Sequence, residues 1–147
     1  MGDSASALKA LTVLLRSSQH VQESVKRSIS KFGLNSSEFG VLELLYNKGE
    51  QPIQSIGKKI LLASSSLTYV IDKLEGKGLV HRKPCATDRR VIYTSITDEG
   101  RALMDEIFPI NEADISNIFS VLSPEELSTY IELVRKVGLH AEEWNKK

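Results

Sequence analysis

Apolar residues recur every three or four positions along most of the chain, switch once to a β-like alternation, and then return to the helical period. Leu8, Leu11, Leu15, Val25, Ile29 and Phe32 fall mostly at helical spacing, with Ser18 and Gln22 completing the stripe. Residues 8–32 therefore predict a long amphipathic helix, ended by Gly33. Asn35-Ser36-Ser37-Glu38 has the form of a cap with its capping-box acid and opens a second helix through Phe39, Leu42, Leu45 and Tyr46, closed by Gly49. Pro52-Ile53 reads as a short extended entry to a third helix, Gln54 to Leu61, with Ile56 and Ile60 four residues apart. Ser64 of the run Ser64-Ser65-Ser66 is expected to cap a fourth helix, whose buried stripe is Leu67, Val70, Ile71 and Leu74 and which Gly76 and Gly78 stop.

The period then changes. Leu79 to Lys83 and Val91 to Thr97 are rich in apolar and β-branched residues and predict two strands, joined by a charged tip from Pro84 to Arg90. Thr97-Asp98-Glu99-Gly100 starts a fifth helix carrying Leu103, Ile107, Ile110, Ile115, Ile118 and Phe119. Pro109 inside it removes a backbone hydrogen bond and predicts a kink or a break. Ser123-Pro124-Glu125-Glu126 places a cap, a proline at the first helical position and a box partner ahead of Leu127, Ile131 and Val134 in a last helix.

This order predicts a mainly α fold with a small β-hairpin wing, a winged helix-turn-helix with N- and C-terminal dimerisation helices. A single domain is expected, with the winged lobe at about 35–100 and the dimerisation helices at about 5–32 and 101–142. The terminal helices carry apolar residues on more than one face, as in Leu11-Leu14-Leu15 and Ile115-Ile118-Phe119, and a lone chain would leave part of that surface wet.

Formal net charge is zero, which at first argues against a nucleic-acid partner. Its distribution reverses that. Between Lys73 and Arg90 six bases face two acids, a net +4, whereas from Asp98 onward eleven acids outnumber five bases. In the module, the second helix of the pair lies in the major groove, and here it offers Ser64, Ser65, Ser66, Thr68, Tyr69 and Lys73. The hairpin adds Arg82, Lys83, Arg89 and Arg90, and an arginine at such a tip suits a narrow minor groove. A solvated charged face is the bland alternative, as is a purely capping role for the serines.

Other chemistry is sparse. No nucleophile elbow, phosphate loop or acid–base constellation is present, so no enzyme and no cofactor are expected. His20, His81 and His140 are scattered and the one cysteine is Cys85, so neither a metal site nor an internal disulfide framework is expected. No membrane-spanning run or secretory signal pattern is present, and a cytoplasmic protein is expected. Cys85 lies near Lys83 and Arg89, which would lower its pKa if it were exposed and make it a redox candidate; an inert loop cysteine is the alternative. His20, Phe39 and Tyr46 are the candidates to border a ligand pocket, with core packing the alternative for the two aromatics.

Three blocks carry a resemblance: Asp72-Lys73-Leu74-Glu75-Gly76-Lys77-Gly78-Leu79-Val80-His81-Arg82, then Asp88-Arg89-Arg90, then Ile96-Thr97-Asp98-Glu99-Gly100. At this spacing, with Ser123-Pro124-Glu125-Glu126-Leu127 following, the chain resembles the MarR family of transcriptional regulators over roughly residues 8–140, and within it the quinone- and catechol-responsive MhqR-type branch. The resemblance implies a homodimer that binds a pseudo-palindromic double-stranded DNA operator as a repressor and is released by a small phenolic or quinone-like aromatic effector. It also implies that Asp88 pairs with Arg89 to shape the wing while Arg90 probes the minor groove. Some redox-sensing members carry a reactive cysteine near the N-terminus; this chain has none before Cys85. Competing readings are a repressor switched by oxidation of Cys85, an activator of the same fold, and a winged-helix protein-interaction module.

Overall fold

Asp3 starts the first helix: its side chain accepts from the Ala5 amide, and α1 (Ser4–Ser30) follows. The computed structural model describes residues 3–60 and 64–147, with only the backbone described at residues 64 and 65. The chain divides into two compact units, Met1–Glu112 and Ala113–Lys147.

In the first unit, α1 is buried only near its C-terminal end, where Ser28 and Ile29 meet the core. α2 (Ser36–Lys48) opens on the expected box: Asn35 accepts from the Glu38 amide and Glu38 accepts from the Asn35 amide. α3 (Ile53–Ile60) and α4 (Ser64–Gly76) follow. Ser64 is already helical, so it is not the cap; the preceding residue, Ala63, lies outside the described residues. Leu42, Leu45, Ile56, Leu67, Ile71 and Leu74 interlock as a core that also takes in Val80, Met104 and Ile107. Phe39 belongs to this core as well.

The hairpin strands are β2 (Val80–Pro84) and β3 (Ile92–Ile96), antiparallel with Arg82 opposite Thr94. A third strand joins them. β1 (Gln51–Pro52) lies one residue before the extended entry expected at Pro52-Ile53, with Ile53 already helical; it pairs with Thr94 and Tyr93 and makes the sheet order β1-β3-β2. Pro52 is tolerated because β1 is an edge strand.

α4 ends in a Schellman turn. The Gly78 amide donates to the Glu75 carbonyl, the Leu79 amide donates to Leu74, and Gly78 takes a φ of 76° that favours glycine. α5 (Asp98–Phe119) continues through Pro109, so of the two outcomes expected there a break does not occur. Pro109 and Asp105, whose carbonyl loses its partner to the proline, are both exposed, and water can serve that carbonyl.

The second unit contains the last turns of α5 and α6 (Pro124–Asn145), started by Ser123 and Glu126 as a full capping box. Phe119 and Tyr130 pack ring to ring at 5.7 Å, yet no residue of α6 is buried. No described helix is long and apolar enough to cross a membrane.

Candidate nucleic-acid interface

α4 has one buried and one open face. Leu67, Val70, Ile71 and Leu74 are inside, and Ser66, Thr68, Tyr69, Asp72 and Lys73 are outside. Tyr69 is 63% exposed, and the Lys73 ammonium lies 5.5 Å from its ring centroid, which limits how far either side chain strays from the helix surface. The side chains of Ser64 and Ser65 lie outside the described residues. Gln54 and Lys58, exposed on α3, extend the open polar surface; the sequence reading missed them, although the basic pair Lys58-Lys59 at the end of a short amphipathic helix was a usable signal.

The wing tip is organised by Asp88. Its carboxylate accepts from the Arg90 amide at 3.0 Å, from Arg90 Nε at 3.1 Å and from Arg90 Nη2 at 3.3 Å. The implied pairing is thus corrected: Asp88 holds Arg90, not Arg89. An aspartate closes an Asx turn on the residue two positions on, which puts residue 90 within reach. The Arg90 side chain hydrogen bonds, then its backbone N–H, hold the Asp88 carboxyl below the usual range. Arg90 remains 89% exposed in its side chain, held along one edge and open elsewhere. Arg89 and Lys83 are exposed.

Arg82 is different. Its guanidinium lies between Asp72 and Glu75 of α4, with Nη2 at 2.7 Å from each. It is an internal ion-pair member and not an outward cation.

Cys85 is half-buried at the base of the tip, with Sγ 3.3 Å from Thr87 Oγ1. Its thiol pKa is lowered, as expected, but the cause is the Thr87 side chain and then the Thr87 and Asp88 amides, with Asp88's charge opposing. Lys83 and Arg89 are not the cause.

The ligand-pocket candidates do not form one group. His20 is exposed on α1 and Phe39 is buried in the core. The Tyr46 hydroxyl donates to Asp105 on α5, its ring packs 5.9 Å from Phe108, and Arg101 lies 5.6 Å from the ring centroid. The hydrogen bond to Asp105 raises the Tyr46 pKa. Among the described residues, no cluster of three or more His, Cys, Asp or Glu could hold a metal ion.

One buried charge ties α2 to the turn that follows α4. Glu38 is 3% exposed and accepts from Lys77 Nζ at 2.8 Å, while the same ammonium donates to the Gly33 carbonyl at 3.0 Å. Burial alone would push the Glu38 carboxyl up, but Lys77 and the Asn35 amide outweigh it and the pKa falls below the ordinary value. A depressed folded-state pKa stabilises above the unfolded value, and that stabilisation is lost as pH falls through the folded one. Glu38→Gln is expected to cost about 2 kcal/mol at neutral pH. Urea melts repeated stepwise through the carboxylate range should show the gap to the parent closing on acidification; a gap independent of pH would rule out the ion pair as its source.

The family model described as MarR family matches residues 34–92, the stretch from just before α2 to the first residue of β3. The chain is 49% identical over 141 residues to the HTH-type transcriptional regulator MhqR of Bacillus subtilis (strain 168), covering 96% of this chain and 97% of that protein. The chain belongs to the MarR family. Within the MarR family its likeness is to the MhqR type, and with that relative a named regulator, the chain is a DNA-binding transcription regulator and not an enzyme. Solved MarR-like folds agree. A structure of Bordetella bronchiseptica BpsR, described as addressing regulation of DNA binding by 6-hydroxynicotinic acid, superposes with a TM-score of 0.80 at 25% identity, covering 88% of this chain and 98% of that one. The MarR family regulator Sco3205 of Streptomyces coelicolor, in complex with DNA, gives 0.85 at 20% identity, covering 94% and 89%, a likeness of fold.

Proposed function

We propose that this chain is a homodimeric repressor that binds a pseudo-palindromic operator in the bacterial cytoplasm and is released by a small phenolic or quinone-like effector. The observation that carries the reading is the pairing of an open helix face, Ser66 to Lys73, with a wing tip whose Arg90 is both oriented by Asp88 and 89% exposed. α4 supplies base-edge contacts from Ser66, Thr68 and Tyr69 and a phosphate contact from Lys73; Ser64 and Ser65 start the same helix. Arg90 enters the minor groove, Arg89 and Lys83 take flanking phosphates, and Gln54 and Lys58 meet the backbone beside α3.

Dimer formation is supported separately in each unit. Leu8, Leu11, Leu14 and Leu15 of α1 are exposed, and so are Ile131, Val134, Val137 and Leu139 of α6. Apolar surface of this extent on a water-soluble regulator calls for a partner, and a second copy supplies the same faces. The effector class is supported by the likeness to MhqR and by the hydroxylated aromatic acid of BpsR.

The test is fluorescence anisotropy with DNA from upstream of the protein's own gene, at several salt concentrations. Saturable, sequence-preferring binding that weakens steeply with salt is expected. Equal, weak binding to any duplex would favour a protein-interaction module. The lowered thiol pKa at Cys85 favours a second reading, release by oxidation or quinone addition in the wing. Cys85→Ser is expected to respond to a phenolic inducer as the parent does; loss of the response would transfer the switch to the thiol.

A further inference from the structure

Arg82 stands in the most basic stretch of the chain, yet its surroundings are acidic. The Arg82 amide donates to Glu75 Oε2 at 3.1 Å, Nε donates to Glu75 Oε1 at 3.2 Å, and Nη2 donates to Glu75 Oε1 at 2.7 Å. Nη2 also reaches Asp72 Oδ1 at 2.7 Å. Both oxygens of Glu75 are thus spent on one residue, through its backbone and its side chain together.

Local geometry explains why these groups meet. Asp72 and Glu75 are three apart on α4 and share one side of its last turns. The Schellman turn at Gly78 reverses the chain at once, so β2 starts beside the turns it has just left. Along β2, Val80 is buried, His81 exposed, Arg82 half-buried and Lys83 exposed, so strand alternation puts Arg82 on the same side as the core residue Val80. The Arg82 side chain is 29% exposed, against 89% for Arg90.

We propose that Arg82 is a positioning residue that clamps the wing to the recognition helix and neutralises two carboxylates at its end, and that it makes no phosphate contact. The inference rests on the reading of α4 and the wing as the DNA interface. A lone surface ion pair does little, but here one forked guanidinium serves two carboxylates and its own backbone N–H adds a fourth bond, so helix end and strand share one network. Without Arg82, two uncompensated acids remain on the helix that approaches phosphate, and the amide tie of β2 to Glu75 loses its support. Lysine is a poor replacement, because it lacks the planar fork in which Nε and Nη2 both bind Glu75 while Nη2 also reaches Asp72.

Two measurements on the full chain test this, each comparing the parent with Arg82→Gln and Arg82→Lys. In hydrogen–deuterium exchange without DNA, exchange in residues 80–96 is expected to rise about threefold or more in both variants, while residues 36–48 stay protected. In anisotropy with the upstream duplex, both variants are expected to bind about tenfold more weakly with the parent's salt slope. Unchanged wing exchange, a lysine variant that binds like the parent, or a slope shallower by about 0.9 would each overturn the clamp, the last by showing a phosphate contact. Loss of protection throughout the chain would overturn it too, by giving Arg82 a global role in the fold. Should the parent itself show no sequence preference, the interface reading fails and the exchange result alone decides the clamp.

Discussion

Arg90→Ala is expected to weaken operator binding about thirtyfold, or ~2 kcal/mol, while leaving the folded protein as stable as the parent. The side chain is 89% exposed and its ion pair is to Asp88, itself at the wing tip, so little of the fold depends on it. In the proposed complex its worth is in binding. Asp88 already holds the guanidinium in the free protein, which would lower the ordering cost of inserting it into a narrow groove of negative potential. Asp88→Ala should therefore lose affinity by a smaller factor, since the cation survives but its orientation does not. Anisotropy titrations with the upstream duplex, alongside a thermal melt, check both halves. An Arg90→Ala variant that binds like the parent would remove the wing from the interface.

Gly100→Ala should do the reverse and damage stability before binding. A Cβ at this position would stand 2.2 Å from the Leu79 carbonyl oxygen and 2.7 Å from Ile96 Cγ1, and the first of these is backbone that cannot swing aside. Around it the joint is fully bonded. The Thr97 amide donates to the Leu79 carbonyl at 3.0 Å, the Thr97 hydroxyl donates to the Gly78 carbonyl at 2.7 Å, and the same hydroxyl accepts from the Gly100 amide at 3.0 Å. One threonine thus caps α5 and anchors it to the end of α4. The added methyl must push this joint open, at a cost of about 3 kcal/mol, or roughly 10 °C in the melting midpoint for a chain of this size. Differential scanning calorimetry measures it, and a shift under a degree or two would mean that the start of α5 can slide without penalty.

How much of this was readable beforehand divides along the range of the interactions. Both capping boxes, at Asn35 and Ser123, involve partners three residues apart, so the residue types announce them. The period of Leu67, Val70, Ile71 and Leu74 likewise shows which face of α4 is inside. β1 was not legible as a strand, because two residues have no periodicity and its identity comes from Thr94 and Tyr93, forty residues on. Arg82 was read as an outward cation because charge counting along the chain does not show that a tight turn carries it back onto Asp72 and Glu75. The choice of Arg90 over Arg89 by Asp88 is a matter of turn geometry, invisible to a count of charges. Pro109 left a kink and a break both open, and the helix continues because an exposed proline leaves its orphaned carbonyl to water.

The joint at Leu79 has a bearing on how such a regulator can be tuned. Its amide is committed to Leu74, its carbonyl to Thr97, and the space above that carbonyl to Gly100. The end of α4, the start of the hairpin and the first turn of α5 are consequently tied together through Leu79, and in the proposed dimer this joint would hold the open face of α4 and the arginine tip at a fixed distance within each copy. In a reader that works as a pair, the adjustable quantities are then the separation and tilt between the two blocks. Under the proposed function, an inducer would have no need to deform the contact surfaces; it would only have to set them out of step with the helical repeat of the DNA.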